Sequence, residues 1–109
     1  MPIHPEMIEA KYRASRTARL LGNPSVYSLV ETMLASGRVT PTSLSHRLKR
    51  RLTTVSNYLK SLKLAEVVRF ESDGYHNWYR VKYPPAVRRV RRALQDLARA
   101  SARGVRAAR

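Results

Sequence analysis

No cysteine occurs in the 109 residues. Disulfides, thiol redox sensing and thiolate metal sites are excluded together. Acidic residues are scarce as well: seven Asp and Glu stand against 22 Lys and Arg. The chain offers no paired-carboxylate arrangement of the kind acid–base catalysis uses, no glycine-rich phosphate loop and no Ser-His-Asp spacing, so an enzyme is not expected. No apolar run is long enough to span a bilayer, and the stretch MPIHPEMIEA lacks the charged and apolar regions of a signal peptide. The expectation is a soluble cytoplasmic protein, nucleoid-associated if it binds DNA, with no membrane contact. His4, His46 and His76 have no thiolate or paired carboxylates beside them. No metal site and no cofactor are therefore expected.

What the chain has in excess is positive charge, a formal +15. On a domain this small such a surplus favours a polyanionic partner, nucleic acid first and an anionic membrane surface second. Most of the surplus is Arg, which grips phosphates and guanine edges bidentately. The hydrophobic fraction of 43% is ordinary for a globular protein and argues against disorder throughout.

Helical spacing and start signals divide the chain. Pro5 to Leu21 fits a helix with Glu6 and Glu9 near its start and Arg13, Arg16 and Arg19 nearer its end, the order that complements the helix dipole. Gly22 is expected as its C-cap. Asn23-Pro24 opens a second helix with an apolar face of Val26, Leu29, Val30, Met33 and Leu34, and Thr40-Pro41 opens a third with Leu44 and Leu48 inward. A basic turn, Lys49-Arg50-Arg51, leads into a fourth helix over 52–64 that buries Val55, Leu59 and Leu62. Its polar side carries Thr53, Thr54, Ser56, Asn57 and Lys60, types better suited to base edges and phosphates than to a merely solvated face. Alternation then predicts a strand at 67–70, a turn at 71–74 centred on Asp-Gly, and a returning strand at 75–81. A last helix from Pro84 to at least Ala102 repeats Val87, Val90, Leu94, Leu97 and Ser101 at three- and four-residue spacing. One thin apolar stripe on so long a helix asks for a partner, most simply a second copy. Gly104 and the residues after it are expected to fray.

Three helices, a hairpin and a terminal helix in this order are the parts of a winged helix-turn-helix: mostly α with a β-hairpin wing. The segments LGNPSVYSLVETML (21–34), VTPTSLSHRL (39–48), TTVSNYLKSL (53–62) and DGYHNWYRV (73–81) resemble the landmarks of the ArsR-type family of prokaryotic transcriptional repressors. The resemblance covers residues 20–81, and the flanking helices fit that family's dimerisation elements. It implies one domain: a dimerisation helix at 5–21, a winged-helix core at 23–81 and a dimerisation helix with a basic tail at 84–109. It implies a homodimer that reads double-stranded DNA and acts as a repressor. The departures are specific. The family's turn often reads Gly-Leu-Ser where this chain has Lys49-Arg50-Arg51, and Arg51 is a poor N-cap, so the fourth helix is expected to be capped at Thr53 or to start irregularly. Glu66 stands where the family has a helix-ending Gly. The family's thiolate box falls near Thr40 and Thr42, and its other metal site uses Asp and His of the last helix, which here has Asp96 and no His. Resemblance therefore does not extend to metal sensing.

Residue by residue, this reading assigns base contact to Thr53, Thr54, Ser56 and Asn57. It assigns phosphate contact to Thr42, Ser43, Lys49, Arg50, Arg51 and Lys60, and wing contact to Arg69, Tyr75, His76 and Arg80. Trp78 and Tyr79 are expected to serve hairpin packing. The dimer interface takes Ile8, Tyr12, Val87, Val90, Leu94 and Leu97. An architectural DNA-binding protein with little sequence preference is the alternative, and an RNA- or protein-binding use of the same fold is a third possibility. The nature of any small-molecule effector is not legible.

Overall fold

Two helix starts follow directly from local chemistry. The Asn23 side chain accepts from the N–H groups of Ser25 and Val26, at 2.9 and 3.3 Å, and Thr40 Oγ1 accepts from Ser43 N–H at 3.1 Å. Each cap is followed by a proline, whose missing N–H is no loss in a first turn. The computed structural model describes residues 5–107, with side chains from 8 to 104; His4 lies outside that range. The order is α1 (Pro5–Leu21), α2 (Pro24–Ser36), α3 (Pro41–Leu48), α4 (Leu52–Leu64), β1 (Val68–Ser72), β2 (Asn77–Val81) and α5 (Pro84–Ala107). Among the described residues no helix is long and apolar enough to cross a membrane.

The core lies where α2, α3, α4 and the hairpin meet. Leu29, Leu44, Val55, Leu59 and Leu62 are fully buried, with Val26, Val30 and Met33 from α2 and Val39, Val68 and Val81 from the sheet. Each such side chain contributes about 1.5–3 kcal/mol relative to exposure, and together they fix α4 against α3. Val39 exchanges both backbone hydrogen bonds with Tyr79, at 2.9 and 2.8 Å. This short bridge makes β2 the central strand of a three-stranded edge and ties the wing to the start of α3.

Three sequence expectations need correction. The hairpin turn lies later than expected. Glu71 and Ser72 belong to β1, Ser72 pairs with Asn77, and Asp73 to His76 form the loop, so Tyr75 and His76 sit at the wing tip rather than in a strand. The cause is Asp73, whose Oδ1 accepts from the N–H groups of Tyr75 and His76 at 2.9 and 2.7 Å, with Gly74 at φ +89° beside it. Second, Gly104 to Ala107, expected to fray, continue α5 as helix. Third, Val87 packs against the chain's own core, so the open apolar stripe of α5 begins at Val90. Gly22 follows α1 as its expected C-cap, without turning left-handed; its N–H bonds to Ala18 O at 2.9 Å.

Both α3 and α4 end left-handed without glycine. Lys49 has φ +52° and Glu66 φ +63°. At each end the two closing bonds of a Schellman motif form: Lys49 N to His46 O and Arg50 N to Ser45 O, then Glu66 N to Lys63 O and Val67 N to Leu62 O. At the second end Val67 and Leu62 are both buried, which supplies the motif's usual apolar contact. The left-handed conformation strains a residue with a Cβ by about 1–2 kcal/mol. Lys49→Gly is therefore expected to raise the unfolding free energy by about 0.5–1 kcal/mol after glycine's own entropy is counted, and the urea midpoint with it. Glu66→Gly should gain less, because Glu66 also pairs with Lys82 across the end of the wing. Equilibrium unfolding of both variants checks the ranking, and a loss of stability in Lys49→Gly would contradict it.

Candidate nucleic-acid interface

The outward face of α4 is set by its buried face. Val55, Leu59 and Leu62 point to the core, so residues on the far side of the helix stand free. Thr53, Asn57 and Lys60 are exposed there in one line. Thr54 and Ser56 are half-buried. At 100° per residue they are about 160° apart on opposite flanks of that line. The four expected base-reading residues thus split into a central pair and two edges. Leu52 opens the helix with Arg51 in the N-cap position, extended at φ −61° and ψ 142°, and no side chain caps it. Capping at Thr53 does not occur. The N–H groups of this first turn have no side-chain cap, and Arg50 and Arg51 beside them are both exposed.

The turn before α4 is held from within. Ser45 Oγ donates to the carbonyl of Arg50 at 2.6 Å, and Lys49 turns left-handed above it. Thr42 is exposed at the start of α3, where helix-dipole charge is positive, while Ser43 is half-buried with its N–H committed to Thr40. Charge is one-sided here. From Thr32 to Ala65 the chain has seven Lys or Arg and no Asp or Glu.

The wing differs. Arg69 and Arg80 are cross-strand partners on its outer face, and both approach the carboxylate of Glu71, at 3.7 and 3.0 Å. Their charge is partly neutralised at home. Tyr75 is 93% exposed at the tip, and His76 is exposed beside it. The two backbone hydrogen bonds, from His76 first and then Tyr75, hold the Asp73 carboxyl below its ordinary pKa. The side chains of His76 and Trp78 favour the same charged form more weakly. The buried indole N–H of Trp78 nevertheless meets no acceptor in hydrogen-bonding geometry among the described residues. A depressed folded pKa contributes order that is complete above the unfolded value and is lost as pH falls through the folded one. Protection of the Tyr75 and His76 amides, the exchange rate against the intrinsic rate at the same pH, is therefore expected to persist at neutral pH and to be lost only below the ordinary carboxylate range. In Asp73→Ala that protection should be absent throughout. Equal protection in that variant at neutral pH would remove Asp73 as the organiser of the tip.

Sequence reasoning passed over Arg38, in the link between α2 and α3. Its guanidinium carbon lies 4.2 Å from the centroid of the Trp78 ring. No local motif marks this pair; only the Val39–Tyr79 bridge brings its members together.

Away from this surface, α1 and α5 leave apolar side chains open. Ile8 is 53% exposed, Tyr12 65%, Val90 44%, Leu94 40% and Leu97 64%. Where α5 faces the end of α1 and the start of α2 lies an open groove of about 570 Å³, lined by Leu21 and Tyr27 on one side and Val90 and Leu94 on the other.

No protein-family model and no curated protein matches the chain. Solved structures do. A homodimeric winged helix-turn-helix DNA-binding domain from Mycobacterium bovis, described as a possible ArsR-family transcriptional regulator, superposes with a TM-score of 0.77 at 20% identity, over 88% of this chain and 87% of that one. The antimony-specific transcriptional repressor AntR gives 0.68 at 21% identity, over 93% and 97%. The transcriptional repressor PagR of Bacillus anthracis gives 0.63 at 17%, over 72% and 88%. At these identities the likeness is one of fold. The five helices and two-stranded hairpin of this chain form a winged helix-turn-helix, the fold it shares with ArsR-family regulators.

Proposed function

We propose that the protein is a homodimeric, sequence-specific DNA-binding transcriptional regulator acting as a repressor. The observation that carries this reading is the uncovered face of α4: Thr53, Asn57 and Lys60 in line, flanked by Arg50 and Arg51, in a stretch of chain without a single acid. Hydrogen-bonding side chains on a protruding helix match the donor and acceptor pattern of the major groove, and the surrounding cations match phosphates. The open apolar stripes of α1 and α5 support the dimer. Two copies of α4 would then enter successive major grooves about 34 Å apart on a pseudo-palindromic site. The fold-level neighbours described as a homodimer and as repressors support the same reading. Antimony specificity, stated for AntR, has no counterpart in a chain without the thiolates a soft ion selects.

Selection of bound duplexes from random sequence at physiological salt tests the proposal. The expected result is an inverted repeat with half-sites one helical turn apart. Recovery of no repeat, with equal affinity for competitor DNA, would favour a second reading, an architectural DNA-binding protein. One observation supports that alternative. Arg88, Arg92, Arg99 and Arg103 line the exposed side of α5 opposite its apolar stripe, and among the described residues only Arg99 has an acidic neighbour, Asp96 at 3.5 Å. The architectural reading predicts steep salt dependence and indifference to sequence.

A further inference from the structure

We propose that Arg38 is a DNA-phosphate ligand and that Trp78 is the positioning residue that holds it toward the wing tip. The inference rests on the DNA-binding reading above and names a contact that the sequence motifs do not.

Register carries the first step. Val39 lies opposite Tyr79 in an antiparallel bridge, so Arg38 starts beside Arg80 and Thr40 beside Trp78. The Arg38 guanidinium is found over Trp78 instead, 4.2 Å from the ring centroid. The side chain therefore runs about two residues toward the wing tip, roughly 6–7 Å along the strand. That displacement places its charge between two elements already argued to meet DNA: the start of α3, with Thr42 exposed, and the tip loop, where the His76 ring lies 5.8 Å from that of Trp78.

Charge carries the second step. Arg69, Arg80 and Arg38 are the arginines at the outer face of this edge. The first two share Glu71. Arg38 has no carboxylate partner and donates no hydrogen bond among the described residues. Its attraction to the ring comes from the aromatic quadrupole and leaves its N–H donors unspent. A guanidinium held in place with free donors loses little freedom when it meets a phosphate. The wing cations assigned from sequence are thus the partly neutralised ones, and the cation with no carboxylate beside it is the one that sequence reasoning passed over.

The test uses the full chain and the selected duplex. Wild type, Arg38→Ala, Trp78→Leu, Trp78→Phe and the double variant Arg38→Ala with Trp78→Leu are titrated across salt concentrations. A dimer loses two phosphate contacts in Arg38→Ala, so the log–log salt slope should fall by about 2 and affinity by about 10- to 30-fold near 0.15 M salt. Trp78→Leu should match most of that loss, Trp78→Phe should restore it by keeping an aromatic face, and the double variant should be no weaker than Arg38→Ala alone. Trp78 is the one tryptophan in the chain, so its emission reports the site without substitution there. Duplex binding should change that emission in wild type and much less in Arg38→Ala, a readout that survives even if Trp78→Leu disturbs the wing. Unchanged affinity and slope in Arg38→Ala, or additive losses in the double variant, would overturn the inference while leaving DNA binding intact. Failure of wild type to bind any duplex would instead overturn the functional reading and this inference together.

Discussion

A chain carrying both Leu94→Glu and Leu97→Glu is expected to be a folded monomer that has lost at least about 100-fold in affinity for a two-half-site duplex. The two leucines are 40% and 64% exposed, and neither belongs to the set of side chains packed against the domain core. The winged-helix core therefore keeps its own contacts when they are replaced. A second copy is the simplest cover for the stripe they form, and two carboxylates in an apolar seam remain desolvated without partners. Linking two reading helices in one dimer makes the second half-site contact intramolecular, an advantage of about 10²–10⁴ that vanishes in the monomer. Affinity for an isolated half-site should hardly change. Light scattering gives the mass, circular dichroism the fold, and gel shifts on full and half sites the affinities. A variant that stays dimeric, or a monomer that binds the full site as tightly as wild type, would refute the seam.

Most parts of this architecture that depend on neighbours in sequence were legible, the wing turn excepted, and those that depend on distant contacts were not. Asn23-Pro24 and Thr40-Pro41 announce two helices because cap and proline act within three residues. The buried faces of α2 and α4 follow from spacing alone. The wing was legible as a hairpin, yet its turn was misplaced by two residues. Asp-Gly marks a turn, but the carboxylate of Asp73 captures the two N–H groups after the glycine and draws the loop forward to His76. Val87 was read as seam because its spacing fits one; only the packing of α5 on α2 shows it turned inward. That packing is pinned by Arg91 and Glu31 at 2.7 Å, a pair 60 residues apart that no local pattern contains. The candidate site divides the same way. Thr53 and Asn57 were legible from helical phase, whereas the pairing of Arg38 with Trp78 depends on one strand bridge. Glu66 shows a further limit: a residue ill-suited to a left-handed turn adopts it because buried Val67 and Leu62 close the motif around it.

Asn57→Ala and Arg50→Ala should separate reading from holding. Asn57 stands on the outward line of α4 with a donor and an acceptor on one side chain, the pattern that pairs with adenine in the major groove. Its loss should lower affinity for the selected site by about 1–3 kcal/mol, roughly 5- to 150-fold, for each of its two half-sites, and leave affinity for random duplex almost unchanged. The ratio between the two affinities, which measures specificity, should collapse. Arg50 is exposed in the turn before α4, and its backbone carbonyl is fixed by Ser45. It meets DNA as a charge, so Arg50→Ala should weaken selected and random duplexes by the same factor and reduce the salt slope by about 2 for a dimer. Competition titrations at several salt concentrations give both numbers for each variant. If Asn57→Ala weakens all sequences alike, Asn57 meets the backbone and the reading edge must lie with Thr53. If Arg50→Ala changes sequence preference, the basic turn enters the groove, and the uncapped start of α4 belongs to the reading surface rather than to its support.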